Sequence, residues 1–136
     1  EPRHGLWTLP GGFMENGESS LEGAIRETME EAGARIDVQD NSLYTLFNLP
    51  VINQVYLFFR AELSDLDFQA GAESLEVALF TEAEIPWEQI AFPVVRSTLE
   101  HYFKDLKQNR FPVRMFDIHH GEDRSITTSL ISHSPI

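Results

Sequence analysis

Apolar residues recur along the chain first at helical and then at strand spacing. From Leu21 to Ala32, the positions Leu21, Ala24, Ile25, Thr28 and Ala32 share one side of a 3.6-residue repeat, with a start signal at Ser20 and Gly33 where a C-terminal cap belongs. This predicts a helix. Before it, Leu6-Trp7-Thr8-Leu9 reads as a short strand broken by Pro10-Gly11-Gly12, and a polar loop follows through Asn16-Gly17-Glu18-Ser19. Beyond it, residues 35–38, 43–49 and 54–61 are rich in β-branched, aromatic and leucine residues. Separated by Asp40-Asn41-Ser42 and by Pro50 to Asn53, they predict successive antiparallel strands. An acidic loop from Ser64 to Ser74 leads to a further strand candidate, Leu75 to Thr81, and Ile85-Pro86-Trp87 opens a turn-rich stretch. A second helix is predicted from Pro93 to Leu106, with Val95, Leu99, Tyr102 and Leu106 as its apolar stripe. From Gly121 periodicity fades, and residues 121–136 are expected to form an irregular tail behind one domain spanning 1–120.

Bulk properties narrow the function. At 136 residues the chain fits one domain with one core, and therefore one site. The longest apolar run, Gln54 to Ala61, is far too short to cross a bilayer, so no membrane partner is expected. The absence of cysteine removes disulfides and thiolate metal sites and fits a reducing compartment, with the cytoplasm the expected location. A formal net charge of −12 argues against nucleic-acid binding, which needs a basic face to displace counterions. Polyphosphates are repelled by such a chain unless metal cations in an acidic cluster reverse the local sign.

Such a cluster is present. Glu27, Glu30 and Glu31 stand at i, i+3 and i+4, which puts all three carboxylates on one side of the first helix. Their mutual repulsion costs stability unless a cation neutralises it, and hard oxygen ligands suit Mg2+ or Mn2+. Glutamates at this spacing are also common on solvated helix faces, so the loop before the helix has to decide.

Gly12, Glu18, Arg26, Glu27, Glu30, Glu31 and Gly33, with Thr28 and Ala34 at the hydrophobic-type positions, resemble the signature of the Nudix hydrolases: Gly, five residues, Glu, seven residues, Arg-Glu, hydrophobic, any, Glu-Glu, any, Gly, hydrophobic. Seven fixed positions would match by chance about once in 10⁸ per starting point. Thr28 and Ala34 are weakly hydrophobic departures that leave every charged position intact. The resemblance implies an α/β fold, the Nudix α/β/α sandwich with a mixed central sheet, whose first strand is expected to precede residue 1. It implies that Glu27, Glu30 and Glu31 are metal ligands, that the backbone carbonyl of Gly11 adds another, that Arg26 orients a carboxylate, and that Glu18 ties loop to helix. A further glutamate, as ligand or general base, is expected at Glu76 rather than Glu73.

Trp7 to Pro10, Asn53 to Tyr56, Glu73 to Phe80, Glu84 to Trp87 and Ile90 to Pro93 resemble a Nudix subgroup that often carries an N-terminal zinc ribbon and includes plant FAD and ADP-ribose pyrophosphatases. Without cysteines, the ribbon is not in this chain. The implied activity is metal-dependent hydrolysis of a small-molecule nucleoside diphosphate such as FAD, ADP-ribose or NADH to AMP and a second monophosphate, by a homodimer. Two alternatives stand beside it: removal of aberrant nucleoside triphosphates, and a non-catalytic nucleotide sensor. Tyr44, Phe47, Tyr56 and Phe58 read as core rather than base-stacking residues, and His119-His120 as surface.

Overall fold

The structure, a computed structural model, describes residues 6–63, 78–122 and 126–134. It is an α/β fold, and among the described residues it has two α-helices and a four-stranded mixed sheet in the order β2-β1-β3-β4. Helix α1 is Ser20–Ala32 and α2 is Pro93–Gln108; the strands are β1, Ile36–Leu49, β2, Gln54–Leu63, β3, Arg114–His120, and β4, Ile126–His133. The described residues form two compact units, one of residues 6–41, 61–63 and 78–97, the other of 42–60, 98–122 and 126–134.

In the first unit, α1 begins on a capping box. The Ser19 side chain accepts from the Glu22 N–H, and the Glu22 carboxylate accepts from the Ser19 N–H at 2.8 Å. Gly33 closes the helix at φ 61°, a left-handed position that favours glycine, with its N–H on the Met29 carbonyl. The strand expected at residues 6–9 is reduced to one bridge, Trp7 beside Ile90, made by Trp7 N–H to Gln89 O and Ala91 N–H to Trp7 O. Pro10, which has no N–H to donate, follows too soon for a longer ladder. Trp7 also meets Phe80 edge-on at 5.1 Å.

Of the strand expected at 75–81, residues 75–77 lie outside the described residues, and 78–81 are not strand. Thr81 instead caps a short 3-10 turn, Glu82–Glu84, through a reciprocal bond with Glu84 that draws the backbone out of extension.

The second unit is built on β1. Asp40-Asn41-Ser42, expected to break the chain between two strands, instead lie inside one continuous strand whose span passes from the first unit's residues into the second's. β1 runs parallel to β3, with Phe47 opposite Phe116, and the two rings stack at 4.8 Å. Phe58 meets Phe47 edge-on at 5.9 Å. Of the four aromatic residues read as core, Tyr44 and Phe47 are fully buried and Tyr56 and Phe58 half-buried; Thr45 is buried beside them.

The tail expected to be irregular carries β4, antiparallel to β3 with a bulge at Met115/Phe116. Its described side chains from Thr127 to His133 are exposed, so backbone pairing rather than an apolar rhythm holds it, and periodicity had nothing to register.

Helix α2 starts at the predicted Pro93 and runs to Gln108, two residues past the predicted end. Of the predicted stripe Val95 is buried and Leu99 and Tyr102 are half-buried, but Leu106 is exposed, while Thr98 and Asp105 are buried. Position 105 turns inward because Arg114 grips the Asp105 carboxylate at 2.6 and 2.9 Å and the Tyr44 hydroxyl donates to it. Thr98 bonds Thr45 at 3.0 Å one stretch earlier on the helix. Burial pushes the Asp105 carboxyl up, but the bonds from Arg114 and Tyr44 outweigh it and hold the group below its ordinary value. Tyr44 is pushed up by burial and by its bond to Asp105.

Asp105→Ala leaves the half-buried Arg114 without its counter-charge, and is expected to lower unfolding free energy by about 2–3 kcal/mol in urea denaturation, less than the loss of a fully buried pair. Since the folded-state value is depressed, the contribution of Asp105 is full above its ordinary 3.8 and fades as pH falls through the folded value. The difference between wild type and variant should therefore shrink in acid.

Candidate functional site

One guanidinium organises the start of α1. Arg26 Nε and Nη2 fork onto the two oxygens of Glu18 at 2.6 and 3.1 Å, and Nη2 also donates to the Phe13 carbonyl at 3.1 Å. On the other side, Nη1 donates to Glu27 Oε1 and, at 3.1 Å, to Glu30 Oε2. Glu15 adds a looser ion pair to Nε at 3.4 Å. Among the described residues, four carboxylates thus face this one cation. Arg26, Glu18 and Glu27 are largely covered, whereas the Glu30 side chain is 57% exposed.

The loop from Gly11 to Glu18 is tied down by the same charges. Glu18 Oε1 accepts the Glu15 N–H at 2.8 Å, and the Glu18 N–H returns a bond to the Glu15 carbonyl at 3.1 Å. Gly17 turns the chain at φ 84°. Glu31 Oε1 accepts the Gly11 N–H at 2.8 Å. A Cβ at Gly12 would meet the end of the Glu27 side chain, which would have to shift to make room for it. The bond to Arg26, followed by the Glu15 N–H, holds the Glu18 carboxyl below its ordinary 4.5, and Glu18 and Glu27 in turn push Arg26 up.

The structure brings Glu18, Arg26, Glu27, Glu30, Glu31 and Gly11 into one region. The glutamates are turned to Arg26 and to the Gly11 amide, and among the described residues no group of three or more His, Cys, Asp or Glu is gathered as a formed cation site. The donor set itself, carboxylates on adjacent turns of one helix with a side-chain-free glycine alongside, suits a hard divalent cation. Glu76 lies outside the described residues. His119 and His120 are exposed on β3, as read.

Sequence reasoning missed the part played by Glu15 and the steric demand of Glu27 on Gly12. Glu15 sits three residues before Glu18, a local spacing that offered a signal, whereas the clash at Gly12 depends on the fold.

The NUDIX domain family model matches residues 1–101. A crystal structure of a NUDIX hydrolase from Nitrosomonas europaea superposes with a TM-score of 0.78 and 49% identity, covering 86% of this chain and 66% of that one. A MutT-like protein of Streptomyces ambofaciens is 33% identical over 82 residues, 60% of this chain and 52% of the relative. YjhB of Bacillus subtilis, named provisionally as an ADP-ribose pyrophosphatase, is 31% identical over 88 residues, 60% of this chain and 41% of the relative. The chain spans about half or less of the length of these curated relatives.

The Glu18 carboxyl should titrate below 4.5 when followed by carbon NMR, and Arg26→Gln should return it toward that value. Stability drawn from this group is present above 4.5 and lost as pH falls through the lower folded value.

Proposed function

Because the chain belongs to the NUDIX family, we propose that it is a pyrophosphohydrolase that cleaves a nucleoside diphosphate linked to a second group. The observation that carries this reading is the carboxylate face of α1, Glu27, Glu30 and Glu31, set against the glycine loop and braced by one arginine. The first described segment of the loop and the helix both lie within the matched residues.

Glu27, Glu30 and Glu31, joined by the Gly11 carbonyl, would hold Mg2+ or Mn2+. A bound divalent cation supplies charge neutralisation on the phosphate oxygens and acidity to a water. The protein's own part is positional. Glu18 fixes one edge of Arg26, Arg26 orients Glu27, and Gly12 leaves the space that Glu27 occupies. Water adds to one phosphorus, the phosphoanhydride bond breaks, and AMP leaves with a second monophosphate. Glu76 is the proposed proton acceptor or additional ligand, on the strength of its place in the sequence.

Support for the substrate class comes from the subgroup resemblance and from the ADP-ribose in the name of the Bacillus subtilis relative. FAD, ADP-ribose and NADH form the proposed set. Cytoplasmic residence is supported by the lack of cysteine. Among the described residues no helix is long and apolar enough to cross a membrane. Homodimerisation rests on the family resemblance.

With Mg2+ present, a panel of FAD, ADP-ribose, NADH, a nucleoside triphosphate and a diadenosine polyphosphate should show turnover of the first three. Turnover of the triphosphate alone would move the substrate to another class, and no turnover of any would favour a sensor. Glu27→Gln, Glu30→Gln and Glu31→Gln should each lower kcat by about 10²–10³-fold, the usual loss when one electrostatic stabiliser is removed. Unchanged hydrolysis in Glu31→Gln would defeat the assignment. In Gly12→Ala the methyl group has to push the end of a flexible side chain aside. Far-UV circular dichroism should stay unchanged while kcat/KM falls by about 10²-fold, the cost of an ångström-scale misplacement.

A further inference from the structure

The two strands that end the sheet differ in charge. β2 carries Arg60 and Glu62, whereas residues 126–132 of β4 carry no charge, in a chain whose formal net charge is −12. Edge strands are commonly guarded by charged side chains or proline against pairing with another chain, and β4 has neither over that stretch. The register shift at Met115/Phe116 leaves Ile126 to Leu130 regularly paired with β3, and among the described residues the outer edge of β4 pairs with nothing. Thr127 to His133 are exposed, so neither face of β4 is covered. Leu130 stays 49% exposed although it lies opposite the buried Phe116, and Ile131 is exposed to the same degree. We propose that the outer edge of β4 is the surface through which two copies of this chain associate, antiparallel about a two-fold axis, into one continuous sheet. This deepens the homodimer reading by naming its surface.

A row of backbone N–H and C=O groups is satisfied best by another extended strand, so the occupant has to offer one. A second copy does. Under a two-fold axis antiparallel pairing sets each residue near the axis opposite itself or a close neighbour, which makes the strand its own complement. The same symmetry sets a charge requirement, because a charged side chain near the axis meets its own copy, and like charges directly opposite destabilise the pair. An uncharged stretch is what self-pairing of a strongly acidic chain needs, whereas a charged peptide would find nothing on it to recognise. Packing points the same way. Phe47, Phe116 and Leu130 follow one another across β1, β3 and β4, with the two rings stacked at 4.8 Å, and a strand outside β4 would cover the open flank of Leu130. The net charge of each copy opposes the approach at long range, so salt should favour association through an uncharged edge.

Analytical ultracentrifugation of the full chain over a concentration series should show reversible association from 15.5 kDa to about twice that mass, strengthened by added NaCl. Thr127→Glu combined with Ser129→Glu puts like charges across the axis at exposed positions. The double variant should raise the dimer Kd at least about fivefold, the size of one unfavourable cross-strand pair, while far-UV circular dichroism stays unchanged. Amide hydrogen exchange on wild type removes dependence on the variant: the outward-facing β4 amides should gain protection as protein concentration rises, and those of β2 should not. A monomer at every concentration overturns the proposal and the homodimer reading together. A dimer that the double variant leaves intact, that salt weakens, or that protects β2 in place of β4 overturns the edge assignment and leaves the homodimer reading standing. Outward β4 amides protected equally at all concentrations mean that another segment of the same chain covers the edge, which also overturns it.

Discussion

Arg26 stands against four carboxylates at the start of α1, and the local structure follows from that unequal charge. A lone guanidinium cannot neutralise Glu15, Glu18, Glu27 and Glu30 together, yet its donors can be divided among them. The division sets the loop. Glu18 and the Phe13 carbonyl are tied to the helix by one edge, so the glycine loop lies against the glutamate face instead of swinging free. What remains is an excess of negative charge at the helix surface, and Glu31 on the Gly11 amide adds to it.

Charge is handled differently around β1. Asp105 there meets one arginine, Arg114, through two hydrogen bonds, and the Tyr44 hydroxyl completes its shell. The pair is nearly balanced and covered, so it serves to fix the rotation of α2 over its own stretch of sheet. The contrast bears on function. The Asp105 pair is covered, whereas among the described residues the cluster around Arg26 includes the exposed Glu15 and Glu30.

Much of this was readable in the sequence because it is local. The cap at Gly33 and the i, i+3, i+4 set of Glu27, Glu30 and Glu31 depend on residues within one or two turns, whereas the capping box of Ser19 and Glu22, equally local, was not read and the start signal was placed at Ser20. The elements that sequence reading misplaced depend on distant partners. Asp40-Asn41-Ser42 lie within β1 despite their turn-forming composition, and β4 exists because β3 offers a pairing edge. Leu106 loses its expected place to Asp105 because Arg114, nine residues further on, turns the helix face.

The sequence by itself determined the family, the carboxylate set and the helix that presents it, since a 3.6-residue repeat fixes which side chains share a face whatever surrounds them. Only the tertiary structure decided how those carboxylates are occupied. That Nη1 of Arg26 lies between Glu27 and Glu30, that Gly12 leaves room for Glu27, and that Gly11 donates to Glu31 across twenty residues all require the loop to fold back on the helix. Spacing along the chain sets which groups can meet, but the distribution of hydrogen bonds among competing acceptors is settled by three-dimensional distance and angle.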